Sequence, residues 1–268
     1  MKANLRISQL DCVDEMFAFP SCGDESLSLG AVWLEHYRQS GPEVTAEKHH
    51  LRDLYLGRSF TETEIKGALK KQLAGSGSAV RECSDIDDEV AALLADNRIV
   101  ARFSGRMEWG ARALGNRSIL ANPREWRNVE EINSMIKKRD FWMPFAPSVL
   151  AEESDRYLMN PKGIQSPFMM LAYDTQPGAA NEIGAAIHPR DKTARAQCVE
   201  RDVSPEYWSL IKGFENRTGV PAVLNTSFNL HGYPLVYSPE DAIDVFLRSG
   251  LSHLAIGNSL VSKPEADP

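Results

Sequence analysis

The sequence predicts an α/β or α+β protein, and three observations predict it. Short apolar runs of strand length, such as Pro221-Ala-Val-Leu-Asn225, are interspersed with amphipathic segments of helix length. Several of those segments open on helix-capping residues, as in Thr61-Glu-Thr-Glu64 and Ser238-Pro-Glu-Asp241. With 43% hydrophobic and 25% charged residues over a 268-residue chain, a core can be buried by one large domain or by one domain plus a smaller piece.

The elements follow in order. Residues 14–19 read as a short buried strand ending at Pro20, and Leu27–Tyr37 as a helix. Residues 40–60 are polar and read as a loop. The Thr61–Glu64 capping box opens a helix to about Leu73, and Gly75-Ser-Gly-Ser78 has the composition of a flexible linker, so a domain boundary is expected there. Ser84–Asp87 caps a helix carrying Val90, Leu93 and Leu94. Strands are expected at Arg98–Phe103 and Ser118–Ala121, the second stopped by Asn122-Pro123, and a helix over Trp126–Lys138. Residues 145–150, 168–173 and 195–200 read as extended. Ser204-Pro205 begins a helix that ends before Gly219. Pro221–Asn225 is a buried strand, 226–237 a loop, Ser238–Asp241 a helix cap, and Ser252–Ile256 the last strand.

The formal net charge of −7 argues against a general nucleic-acid binder. The four cysteines form no CxxC pair and read as free thiols of a reducing cytosol. No apolar run approaches the roughly 20 residues of a membrane span, so a soluble cytoplasmic protein is expected.

Against that acidic total stands one basic island. Arg98–Arg139 holds ten Lys or Arg and four Glu, a local net of +6, around Gly105, Gly110 and Gly115. Backbone that approaches a ligand closely favours Gly, and clustered Arg suits phosphate. Arg106, Arg112 and Arg117 are spaced by six and five residues, which is not a helical face. The bland alternative is surface arginines in salt bridges with Glu108, Glu130 and Glu131. Lys137-Lys138-Arg139 ends a helix, where cations also complement the dipole.

Further candidates lie downstream. Asn225-Thr226-Ser227-Phe-Asn229 directly follows a buried strand, and ligands of open α/β sheets sit at carboxyl ends of strands. A capped turn is the plain alternative. His188–Arg195 mixes an imidazole, both charges and a hydroxyl. Asp24 suits either a cation ligand or an N-cap, while His49-His50 has no ligand pattern beside it. Walker A, GxGxxG, HExxH and GxSxG motifs are absent.

Gly105-Arg-Met-Glu-Trp-Gly-Ala-Arg-Ala-Leu-Gly-Asn-Arg-Ser118 resembles the signature of the NodU/CmcH family of O-carbamoyltransferases. Pro144-Phe-Ala-Pro147, Asp191-Lys-Thr-Ala-Arg195, Gly219-Val-Pro221 and Asn225–Asn229 follow in that family's order. The resemblance covers about residues 83–263. It implies a YrdC-like domain, a twisted mixed sheet with flanking helices, over 83–268. Residues 76–82 would be the linker. Residues 1–75 resemble the tail of an actin/hexokinase-like first domain, with Gly23-Asp24 to Gly30-Ala31 as its turn.

The resemblance further implies a carbamoyltransferase component that binds carbamoyl phosphate and ATP and makes carbamoyl adenylate for transfer to a small-molecule hydroxyl. Arg112, Lys137, Arg139 and Ser227 would carry the chemistry. Arg106, Arg117, Lys138, Arg195, Asn225, Thr226 and Asn229 would hold substrate and ATP. Asp24 would be one metal ligand, with Mg accompanying ATP and an Fe-type site complete only with the rest of the first domain. A separate chain carrying that domain, or a homo-oligomer, is an expected partner; nucleic acid and membrane are not. Met143 stands where many members have Arg before Pro-Phe-Ala-Pro. Two other readings are a nucleotide- or carbamoyl-phosphate-binding module without turnover and a YrdC-like threonylcarbamoyl-adenylate synthase. An apolar patch is expected around Met16, Phe17, Phe19, Leu29 and Trp33.

Overall fold

The structure, a computed structural model, describes residues 1–41, 51–137 and 143–264. The expectations for His49, His50, Lys138 and Arg139 lie outside the described residues. The helices are α1 (Lys2–Ser8), α2 (Leu27–Ser40), α3 (Glu62–Gln72), α4 (Ile86–Ala95), α5 (Trp126–Ile132), α6 (Ala180–Ile183), α7 (Pro205–Thr218) and α8 (Pro239–Arg248). The strands are β1 (Ala79–Glu82), β2 (Val100–Phe103), β3 (Arg117–Ala121), β4 (Ala146–Leu150), β5 (Tyr173–Asp174), β6 (Thr193–Ala194), β7 (Gln197–Val199), β8 (Ala222–Ser227), β9 (His253–Ile256) and β10 (Ser259–Ser262).

Eight strands form one mixed sheet in the order β1-β10-β9-β2-β3-β8-β4-β7, and β5 pairs with β6 separately. β2 runs parallel to β9 and β4 parallel to β7, while β3 pairs antiparallel with both β2 and β8. Alternate side chains of the central strands enter opposite layers, as the two-residue strand period requires. Leu120 and Val223 meet Leu94 of α4 and Phe214 of α7 on one face. Ile119 and Leu224 meet Leu69 of α3, Ile132 of α5 and Phe246 of α8 on the other. The expected α/β class with a helix-flanked mixed sheet is therefore observed.

Local signals hold well at the helix starts. Thr61 and Glu64 form a reciprocal capping box, and Ser238 with Asp241 forms a second. Asp85 is the N-cap of α4, accepting from the Asp88 N–H. Gly219 ends α7 in the left-handed conformation at φ 74°. α3 lies against α8 and buries Ile65, Ala68 and Leu69 in the core.

The structure differs from the sequence reading or adds to it at four places. Residues 14–19 form no strand, because no strand among the described residues pairs with them, and an unpaired backbone gains nothing from extension. Within 168–173 only Tyr173 enters a strand, while Met169 turns the chain at φ 57°. The Gly75–Ser78 stretch leads at once into β1, an exposed edge strand paired with β10. β10 itself follows the strand expected to be last.

α2 has no buried residue. Leu27, Val32, Trp33, Leu34 and Tyr37 are exposed on it, and Phe17 and Phe19 are exposed before it. Met16 instead packs against the core, and Leu29 is half-buried.

Candidate anion-binding site

A cavity of about 530 Å³ opens where β8 ends, beside the loops that precede β3 and β4. Arg112, Arg195, Asn225, Thr226 and Ser227 all line it, with Lys2, Met143 and His188. Among the described lining residues there is no Asp or Glu. A cleft lined by one sign of charge concentrates the opposite charge, so the arrangement suits an anion.

Arg112 is the clearest cation of the cavity. It sits half-buried on the loop before β3, and burial lowers its pKa. Among the described residues it makes no hydrogen bond or ion pair. A desolvated guanidinium with no counter-charge gains most from a bound oxyanion. Arg195 stands after β6, its Nη1 3.8 Å from Met1 Sδ. His188, from the candidate stretch His188–Arg195, also reaches the cavity. Its Nδ1 lies 3.3 Å from the backbone nitrogens of Arg190 and Asp191 and 3.1 Å from Asp191 Oδ1.

The strand end is pinned from behind. Asn225 is 2% exposed, and its Nδ2 donates to the Ala113 carbonyl at 3.1 Å and to Ser148 Oγ at 3.0 Å. Lys137 is 1% exposed at the end of the π-helical turn Asn133–Lys137 that continues α5. Its Nζ donates to Ser227 Oγ and to the Asn229 carbonyl, each at 3.1 Å, and also to the Ser227 carbonyl and Asn229 Oδ1. Lys137, Ser227 and Asn229 thus form one charge-centred cage, and Ser227 joins it to the cavity wall.

The other arginines of the island go elsewhere. Arg106 donates from Nε to the Gly57 carbonyl and from Nη2 to the Leu56 carbonyl, both at 2.9 Å. Arg117 is fully buried, stacks 3.7 Å from the Phe103 ring centre, and donates to the Ser104 and Asn116 carbonyls at 2.6 and 2.9 Å. Burial pulls its pKa down to about 10. Neither lines the cavity. Arg102, not singled out from the sequence, bonds the Gly115 carbonyl and Asp87, each at 3.0 Å. The glycines serve the loop as well: Gly115 has φ 116°, and a Cβ there would fall 2.4 Å from the Tyr207 ring.

Asp24 is exposed at the start of a single 3-10 turn, Asp24–Ser26, away from this cavity. Among the described residues no group of three His, Cys, Asp or Glu gathers to hold a metal ion.

The fold and the cavity together define an α/β domain with a cation-lined pocket at the carboxyl end of a central strand. Residues 91–263 match the family model described as "Carbamoyltransferase C-terminus", well over half of the chain. The chain belongs to that family, as its resemblance to NodU/CmcH members implies. It is 37% identical over 259 residues to nodulation protein NolNO of Sinorhizobium fredii (strain NBRC 101917 / NGR234), covering 95% of this chain and 37% of that protein. It is 38% identical over 260 residues to nodulation protein NolO of Bradyrhizobium diazoefficiens, covering 94% and 45%. A solved structure, full-length HypF in its phosphate- and nucleotide-bound form, shares 15% identity and a TM-score of 0.47 over 67% of this chain and 25% of that one. The chain spans less than half the length of both nodulation proteins.

Proposed function

We propose that this chain is the carbamoyl-activating part of an O-carbamoyltransferase, binding carbamoyl phosphate and ATP and forming carbamoyl adenylate. The observation that carries the reading is the cavity in which Arg112 and Arg195 meet Asn225, Thr226 and Ser227 without a carboxylate among the described lining residues. Membership of the carbamoyltransferase family supports it. Carbamoyl phosphate gives its phosphate to water, and the released carbamate oxygen attacks the α-phosphorus of ATP. The bond to the β-phosphate breaks, and pyrophosphate leaves with the electron pair. Mg would enter with ATP and offset part of the phosphate charge. Arg112 and Arg195 hold the anions and stabilise charge on the leaving oxygens, the Lys137 cage keeps Ser227 in place, and no side chain acts as nucleophile.

The acceptor is a hydroxyl of a small molecule, reached with residues that lie beyond this chain's share of its relatives. The exposed apolar face of α2 supports a partner there, either a separate chain or a second copy. Free thiols and the absence of a membrane-spanning helix among the described residues support a cytosolic setting.

The test is carbamoyl-phosphate-dependent exchange of labelled pyrophosphate into ATP by the purified chain. One observation favours a binding module without turnover: Met143 lines the cavity where an arginine is expected. ATP binding by calorimetry together with zero exchange would select that second reading. Exchange that depends on threonine rather than carbamoyl phosphate would select a threonylcarbamoyl-adenylate synthase.

A further inference from the structure

Glu108 is an acid within the basic island, and the structure gives it an unexpected place. It is 2% exposed, so it is not a rim carboxylate pairing with surface arginines. Its Oε1 accepts three backbone N–H groups of one loop: Leu114 at 2.8 Å, Asn116 at 2.7 Å and Arg117 at 3.2 Å. Converging backbone N–H groups form a nest that commonly holds an external anion. Here the chain's own carboxylate fills it. The charge also lies close enough to the buried Arg117 to favour its protonated form.

The loop closed in this way is the one that carries Arg112. Three residues before the first nest donor, Ala111, Arg112 and Ala113 form part of the cavity wall. At the other end of the loop, the Trp109 N–H donates to the Leu54 carbonyl at 2.7 Å. Arg112 itself makes no bond to any described residue, so its position is set by its backbone. A short loop held at Leu54, at Glu108 and at Asn225 leaves that backbone little freedom.

We infer that Glu108 is a positioning residue, which by gathering the N–H groups of Leu114, Asn116 and Arg117 fixes the Arg112 guanidinium where the anionic substrate binds. The inference rests on the carbamoyl-activating reading for its substrate, but its geometry stands without it. A residue that served stability alone would lower the melting temperature and the amount of folded protein. It would not couple selectively to Arg112.

The test is a double-mutant cycle on the folded proteins with Glu108→Gln and Arg112→Ala, read by calorimetric binding of inorganic pyrophosphate and by KM for carbamoyl phosphate in the exchange assay. Glu108→Gln keeps the side-chain shape and one acceptor oxygen but removes the charge. Arg112→Ala should weaken pyrophosphate binding about 10–100-fold and Glu108→Gln about tenfold. The double variant should bind no more weakly than Arg112→Ala alone, because the two act through one group. Glu108→Gln should also speed amide exchange at Leu114 and Asn116. Losses that multiply, or an unchanged pyrophosphate affinity in folded Glu108→Gln, would overturn the role of Glu108. If wild type binds pyrophosphate yet shows no exchange, the carbamoyl-activating reading fails, and the pyrophosphate cycle still decides the role of Glu108.

Discussion

The Oε1 atom of Glu108 accepts the backbone N–H of Asn116, eight residues further on, at 2.7 Å. That contact closes the loop at the centre of the basic island. It explains why the glycines and arginines there are divided between two tasks. Arg102 and Arg117 tie the loop to the sheet by donating to its carbonyls, whereas Arg112 is left facing the cavity. The placement of Arg112 on the cavity wall is a product of the closed loop rather than a direct property of its glycines.

Gly115→Ala should damage the fold. The position combines φ 116° with a would-be Cβ 2.4 Å from the Tyr207 ring. Backbone strain and overpacking together should cost about 2–5 kcal/mol. Urea unfolding would show a lowered midpoint, while an unchanged midpoint would remove the stated reason for this glycine.

Arg112→Ala and Arg106→Ala should separate binding from stability. Loss of Arg112 should weaken pyrophosphate binding by about 1.5–3 kcal/mol with little change in melting temperature. Arg106→Ala removes bonds to the Leu56 and Gly57 carbonyls. It should cost about 1 kcal/mol of stability and leave affinity close to wild type. Calorimetry and thermal melts on the pair check both halves.

Lys137→Met should disturb the strand end. It removes the ammonium from a cage of Ser227 and Asn229 oxygens. The buried acceptors left behind should cost about 1–3 kcal/mol or more. Ligand binding should fall as well, since Ser227 lines the cavity. A variant with normal stability and normal binding would contradict the cage.

Alkaline pH should destabilise the chain through Cys198. Burial pushes its thiol up to about 12, while an unfolded thiol ionises near about 8.5. The stabilising contribution is full below the unfolded value. It declines as pH rises between the two values, because there the unfolded state has released a proton that the folded state keeps. The slope is about 1.4 kcal/mol per pH unit. Cys198→Ala should flatten the fall in stability between about pH 9 and 11, measured by denaturant titration at each pH.

The parts legible in the sequence are those set by local chemistry. The capping residues of α3 and α8, the Gly219 stop of α7 and the buried run of β8 each carry their cause within a few residues. β1 and β10 were not legible, because an exposed edge strand and a short Ser-Leu-Val-Ser hairpin arm lack a distinctive pattern. The apolar stretch at 14–19 has strand composition, but a strand also needs a partner. At the site, Asn225, Thr226 and Ser227 were legible as polar residues at the end of a strand, although β8 runs through Ser227 and the loop was expected to begin at 226. Arg112 and Arg117 were not distinguishable by type or by glycine neighbours. Their difference comes from tertiary burial: Arg117 is the first residue of β3 and lies over Phe103, while Arg112 stands on the loop before it. Glu108 looked like a surface partner for arginines, and only the loop's closure shows it among backbone amides.

The most direct measurement is exchange of labelled pyrophosphate into ATP by the purified, folded chain, with and without carbamoyl phosphate. Exchange that appears only with carbamoyl phosphate and falls about 10–100-fold in Arg112→Ala is the result expected of a carbamoyl-adenylate-forming site. No exchange from folded wild-type protein, or exchange indifferent to carbamoyl phosphate or to Arg112, would contradict it.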